Sequence, residues 1–290
     1  MKKKNRSTIW LVLILLIGLS LILYPSVSDY WNSFHQTRAI ANYAQAVADI
    51  DNERYQELWQ SAEDYNRDLA ASGIRWKSTA DELARYESQL NVSGSGVMAY
   101  IEIRKINCFL PIYHGTSDAV LQVAVGHIEG SSLPVGGQST HCILSGHRGL
   151  PSARLFTDLN QLEVGDTFVL RTLDETLTYQ VDQIRIVLPY ELDELTIEPG
   201  MDFCTLVTCT PYSINTHRLL VRGHRVENAA EARQIRVTGD AFLIDSLVVA
   251  PLVALPMLLV LFVVLLISSA RKRARREVLS RLEVKTDDET

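Results

Sequence analysis

The chain of 290 residues holds four cysteines and seven histidines, the side chains best suited to nucleophilic work near neutral pH. A thiolate attacks carbonyl carbon, and an imidazole beside it can take the proton and return it to a leaving amine. Cys209 closes the run Thr205-Leu-Val-Thr-Cys209, immediately before Thr210-Pro211. Proline cannot donate to a strand ladder, so the strand stops there and Cys209 faces a loop-lined surface. Cys108, Cys142 and Cys204 lie inside apolar, strand-like runs and read as small buried hydrophobes. Spacing alone leaves pairing among the four open. His147, in Leu144-Ser-Gly-His-Arg-Gly149, follows an apolar run, and glycines on both sides let the backbone turn and expose the ring. His127, in Gly126-His-Ile-Glu129, is the rival base. Eight residues separate Cys209 from Arg218. If the two strands pair antiparallel around that loop, Arg218 falls opposite the thiol, where a permanent cation suits an anion developing on a carbonyl oxygen. An ordinary exposed strand arginine fits the same pattern.

The elements that must position these residues change character along the chain. From Trp31 to Leu90 apolar residues recur at helical spacing, as in Ala39, Tyr43, Ala46, Val47 and Ile50. Ala71-Ser-Gly73 interrupts the pattern, and Asn91 to Gly96 ends it. From Val97 the period becomes two. Leu177, Tyr179 and Val181 share one phase and Ile184, Ile186 and Leu188 the other, a slip that predicts a bulge within one strand. Further strands are expected at 141–144, 167–171, 203–209 and 218–226, with only short helices between them, as near 153–159. Many short strands in about 130 residues predict a closed barrel or a sandwich.

Charge and hydropathy then place the chain. Apolar residues make up 47% and charged residues 21%, which excludes a wholly disordered polymer. The net charge of −6 conceals basic ends: four Lys/Arg stand in the first ten residues, and seven stand in 268–290 against five acids. The remainder carries 17 basic and 29 acidic residues, too acidic for a nucleic-acid binder. Each basic cluster adjoins an uncharged apolar run, Ile9 to Tyr24 and Ser246 to Ile267. The second exceeds the roughly 20 residues that cross a bilayer; the first is shorter, and either a retained anchor or a cleaved signal peptide satisfies it. Basic flanks stay cytoplasmic, so two spans would leave residues 26–245 outside the cell.

These residues carry a resemblance. Thr205-Leu-Val-Thr-Cys209 looks like the TLxTC signature of sortases, and upstream His147 with downstream Arg218 completes that family's Cys/His/Arg trio. The chain further resembles the pilin-assembling class C sortases in Ile101-Glu-Ile-Arg-Lys-Ile106, Leu110-Pro-Ile-Tyr-His-Gly115, Gly126-His-Ile-Glu-Gly130, Leu133-Pro-Val-Gly-Gly137, Ile197-Glu-Pro-Gly200 and the C-terminal span.

The resemblance implies a mainly β fold, an eight-stranded sortase barrel with a helical N-terminal extension, flanked by two transmembrane helices. Residues 1–25 would form the basic end and anchor, 26–96 the extension, 97–228 the barrel, 229–245 a linker, 246–267 the second span and 268–290 a basic cytoplasmic tail. It implies a membrane enzyme, working outside the cell without cofactor or metal, that cuts an LPxTG-like signal between Thr and Gly. Cys209 would form a thioacyl intermediate, His147 would serve as acid and base, and Arg218 would hold the oxyanion. A lysine of the next pilin would resolve the thioester, making pilin subunits the partners. A housekeeping-type sortase, passing the acyl group to a cell-wall precursor, is the alternative. Class C members carry an Asp-Pro-aromatic lid; this chain has no Asp-Pro, and Trp76 in Gly73-Ile-Arg-Trp76 stands where the aromatic would be, as a plug or as ordinary packing.

Overall fold

The computed structural model describes residues 3–228 and the single position Phe262. Apart from Phe262, the second apolar run lies outside the described residues, as do the expected linker 229–245 and the basic tail, so of the two expected spans only the first is on view. It belongs to helix α1, Lys3–Asp49, which runs unbroken through Pro25. Among the described residues α1 alone is long and apolar enough to cross a membrane, over Ile14–Asp49 at hydropathy 1.4, and none of its apolar window is buried. The expected boundary at residue 25 is thus a point on a continuous helix. Beyond it α1 docks on the strand domain: the Asn32 side chain donates to Ser152 O at 2.8 Å, and Asp29 accepts from Arg154 N–H at 2.8 Å. Further along, buried Tyr43 donates to Met98 O and accepts from Leu173 N–H, both at 2.8 Å.

The expected break at Ala71–Gly73 ends α2, Asn52–Ser72, whose first turn is capped by Asp51. A capping box between Thr79 and Glu82 starts α3, Ala80–Ser88. Leu58 and Ala62 of α2 and Tyr86 of α3 enter the main core. Asn66 exchanges two hydrogen bonds with the Leu133 backbone, at 3.1 and 2.7 Å.

Eight strands follow: β1 Val97–Ile103, β2 Cys108–His114, β3 Val125–His127, β4 Thr140–Ser145, β5 Thr167–Thr172, β6 Glu175–Val187, β7 Asp202–Thr210 and β8 His217–Val226. A four-residue helix, α4 Asp118–Leu121, lies between β2 and β3. The strands close into a barrel in the order β1-β2-β3-β4-β7-β8-β6-β5, mixed because β2–β3 and β4–β7 pair parallel. The phase slip in β6 is a register shift between Val181 and Gln183, and the displaced Asp182 meets Arg222 in two contacts of 3.1 Å. Around 153–159 the chain makes turns, and a short 3₁₀ turn follows at Leu159–Gln161. Leu155 there adopts φ 41° and Phe156 is fully buried, so packing and local turns override helix formation.

His141 on β4 shows how burial sets a charge state. Its Nδ1 lies 2.7 Å from Thr196 O and its Nε2 2.7 Å from Thr205 Oγ1. Those partners suit the neutral ring, with Nδ1–H donating and Nε2 accepting. Burial pulls its pKa from the ordinary 6.5 down to about 4, and the bond to the Thr196 carbonyl offsets this only in part. Between those values the unfolded chain binds the extra proton and the folded one does not. Stability present above pH 6.5 is therefore lost as pH falls toward 4, by about 3 kcal/mol from this group. Urea unfolding at pH 7 and pH 4 should show that loss, and His141→Gln should flatten the dependence while lowering stability at pH 7.

Candidate active site

β4 and β8 flank β7 on its two sides. The parallel register of β4 on β7 ends at Ser145↔Val207, and Gly146 N–H extends it by donating to Val207 O at 3.0 Å. Two residues past Ser145, position 147 is level with position 209. On the opposite side the antiparallel register sets Cys209 directly against Arg218. Cysteine, histidine and arginine thus come from three neighbouring elements at one end of the barrel. All three are partly exposed.

The turn that presents His147 is pinned from below. A Cβ on Gly146 would come within 2.7 Å of the Phe156 ring, so only glycine lets the chain pass that close. Phe156 N–H in turn donates to His147 O at 3.1 Å. Among the described residues nothing hydrogen-bonds the His147 ring or the Cys209 thiol, which leaves both heteroatoms open to a substrate. Arg218 donates through Nη1 to Asn215 O at 3.2 Å and His217 O at 3.1 Å, and no described carboxylate pairs with it. Its planar fork carries further N–H donors beyond Nη1.

The rivals are structural. His127 is fully buried, with Tyr86 Oη 2.9 Å from Nδ1 and Ser132 O 2.8 Å from Nε2, so both nitrogens are occupied. Cys108, Cys142 and Cys204 are buried and no disulfide forms. Burial pushes the Cys108 thiol up to about 12, and that of Cys204 well above its ordinary value. Cys142 and Cys204 are direct partners across β4 and β7.

Below the trio the outer face of the same strands is apolar. Ile143 of β4, Val207 of β7 and Leu220 of β8 form a buried cluster with Leu195. Val207 precedes Cys209 by two residues, roughly 6.6 Å along a strand, so this floor leads directly to the thiol. The connection between α2 and α3 lies on it. Ile74 packs against the cluster, while Trp76 is 42% exposed. Arg75 N–H donates to Gly130 O at 3.1 Å, and Arg75 pairs with Glu82. A Cβ on Gly130 would fall 1.8 Å from Arg75 O, so glycine there is required for the connection to approach. Trp76, weighed as a plug or as ordinary packing, is not among the side chains packed on this cluster, and the contacting side chain is the aliphatic one two residues earlier. Sequence reading passed over Ile74 because a lone isoleucine in a loop carries no distinguishing signal.

A mixed eight-stranded barrel that sets a strand-end cysteine between a histidine and an arginine defines a thiol transacylase of the sortase type. A model of the sortase domain matches residues 101–226. Sortase D of Bacillus subtilis is 30% identical over 159 residues, covering 54% of this chain and 76% of that protein. The crystal structure of sortase C1 from Streptococcus agalactiae is 56% identical, with TM-score 0.65, over 66% of this chain and all of that one (100%). A lid mutant of sortase A from Corynebacterium diphtheriae is 40% identical, with TM-score 0.59, over 62% and 98% of the two chains. Sortase C of Streptococcus pneumoniae, solved with a view to catalysis and pilin substrate specificity, is 38% identical, with TM-score 0.57, over 67% and 98%. The chain belongs to the sortase family, as a cysteine transpeptidase whose structural likeness is to class C.

The burial pattern makes a direct prediction. A thiol titration of the native protein should find one reactive cysteine, and four after denaturation. Cys209→Ala should remove the native signal, whereas Cys204→Ala should leave it.

Proposed function

We propose that the protein is a membrane-anchored transpeptidase that cuts an LPxTG-like sorting signal between Thr and Gly and joins pilin subunits through lysine isopeptide bonds. The observation that carries the catalytic part is the register around β7, which sets Cys209 level with His147 on one side and opposite Arg218 on the other. The pilin part rests on the likeness to class C structures. The N-terminal apolar stretch of α1 supports an anchor, with the barrel on the outer face of the membrane.

The proposed roles rest on this register. The sorting signal lies extended along the apolar floor of Ile143, Val207 and Leu220, with its Thr carbonyl at the thiol. His147 takes the thiol proton as Cys209 attacks that carbon through sulfur, and Arg218 donates to the oxygen as charge gathers on it. His147 gives a proton to the departing Gly nitrogen, and the Thr–Gly bond breaks. The thioester keeps the acyl group activated, so an amine can take it without further energy input. A lysine Nζ of the next subunit attacks, His147 removes its proton, and the thiol is released with an isopeptide bond formed. Ile74, resting on the same floor, occupies part of the groove and acts as the lid contact in place of an aromatic residue.

Incubating the purified enzyme with pilin subunits and an LPxTG-bearing peptide tests the reading. A covalent ladder on denaturing gels is the expected result, and Cys209→Ala, His147→Ala and Arg218→Ala should each abolish it. Peptide cleavage without a ladder, together with transfer to a cell-wall amine, would instead identify the housekeeping type. Ile74→Ala should speed peptide cleavage by opening the floor, with Trp76→Ala near wild type. Equal effects of the two substitutions would refute the assignment of Ile74.

A further inference from the structure

Cys209 stands between two threonines, Thr208 and Thr210, and each of their hydroxyls reaches a residue next to His147. Thr208 Oγ1 donates to Gly146 O at 2.7 Å. Arg148 donates from Nη1 to Thr210 Oγ1 at 3.1 Å. Together with the Gly146 N–H bond to Val207 O, the residue on either side of His147 is fastened to the strand that carries the thiol. The two fastenings differ in kind. The one at Gly146 prolongs the β4–β7 ladder and is part of the barrel. The one at Arg148 lies beyond the ladder, where the backbone has already turned away.

Arg148 does more than bridge two points. Its Nε donates to Thr157 O at 3.2 Å and its Nη2 to Asn160 Oδ1 at 2.8 Å. The planar fork thus spends each of its three nitrogens on a different residue: Thr157 and Asn160 from the segment between β4 and β5, and Thr210 from the end of β7. No described carboxylate pairs with it. A lysine presents a point charge and cannot span three acceptors in fixed directions.

We propose that Arg148 is a positioning residue: by tying the residue after His147 to the residue after Cys209, it fixes the separation and orientation of imidazole and thiol. The inference rests on reading Cys209 and His147 as the reacting pair. Proton transfer to the leaving amine demands that the ring and the sulfur address the same peptide bond. Displacement of a reacting group by about 1 Å can cost on the order of 100-fold in rate. Substrate binding along the floor of Ile143, Val207 and Leu220 does not involve this bridge. Its loss should therefore appear in kcat and leave KM alone.

Thr210→Val is the discriminating variant, because it removes the acceptor, keeps the shape, and leaves Arg148 its bonds to Thr157 and Asn160. Steady-state cleavage of an LPxTG peptide should show kcat reduced about 10-fold or more, with KM within about twofold and melting nearly unchanged. Arg148→Lys should not restore the rate, and Arg148→Ala combined with Thr210→Val should be no worse than Arg148→Ala alone. Alkylation of Cys209 by iodoacetamide across about pH 5 to 9 gives a readout that needs no peptide. By register and chain proximity the charged and titratable groups near the thiol are His147, Arg148, His217 and Arg218, with Tyr212 against Gly149. His147→Ala supplies the profile of a thiol without its partner, and Thr210→Val should move the wild-type profile toward it. A Thr210→Val enzyme with wild-type kcat and alkylation profile, or additive losses in the double variant, would overturn the proposal. A wild-type enzyme that cleaves no LPxTG peptide, or a Cys209→Ala variant that still does, would instead count against the underlying reading of the pair. The alkylation profiles would then still decide whether the bridge couples the two groups.

Discussion

Everything in the site depends on one strand being paired on both sides in different senses. β7 lies parallel to β4 and antiparallel to β8. Antiparallel pairing joins residues through a short loop, so Arg218 is brought opposite Cys209 by only eight intervening residues. Parallel pairing needs a long crossover, and here the chain runs from β4 through β5 and β6 before β7 is laid down. His147 is consequently 62 residues from Cys209 in sequence, as its neighbour Gly146 is from Thr208. β4 and β7 must pair before the imidazole has a thiol beside it. Folding of β4 against β7 thus assembles the site.

The same pairing generates the groove. Residues of one parity on β4, β7 and β8 fill the barrel, including Cys142, Leu144, Cys204, Leu206, Leu219 and Val221. Residues of the other parity face outward, and a run of Ile143, Val207 and Leu220 there would be an exposed apolar patch. Leu195 buries with it, and Ile74, Ile128, Val187 and Leu192 pack against it. An apolar strip that ends at a partly exposed thiol suits an extended peptide, which can bury apolar side chains while offering one carbonyl to the sulfur. Cover by Ile74 offers a modest apolar contact, and its connection is held by the backbone bond of Arg75 to Gly130 and by the pairing of Arg75 with Glu82.

How far the sequence announced this arrangement differs by residue. The bulge in β6 was legible because a period-two pattern changes phase visibly at Val181 to Ile184. The opposition of Cys209 and Arg218 was legible because a short loop fixes an antiparallel register. β3 spans only three residues and leaves too short a pattern to read. The turns around 153–159 mimic a helix because packing on Phe156, not local propensity, sets their shape. Trp76 stands out only through the resemblance, at the place of a lid aromatic, yet the course of this loop depends on the Arg75–Gly130 contact, which joins distant segments. The link between Arg148 and Thr210 was hidden for the same reason: two ordinary residues 62 positions apart become partners only when β4 and β7 align.

The central claim, that the trio around β7 forms a thioester on Cys209, is open to one direct observation. The enzyme would be mixed with an LPxTG peptide in the absence of any amine acceptor, quenched in acid and analysed by intact-protein and peptide mass spectrometry. The account predicts a mass increase equal to the peptide's acyl part up to Thr, confined to the fragment holding Cys209 and removed by hydroxylamine. An adduct on Cys108, Cys142 or Cys204, or peptide cleavage with no adduct even at short times, would contradict it.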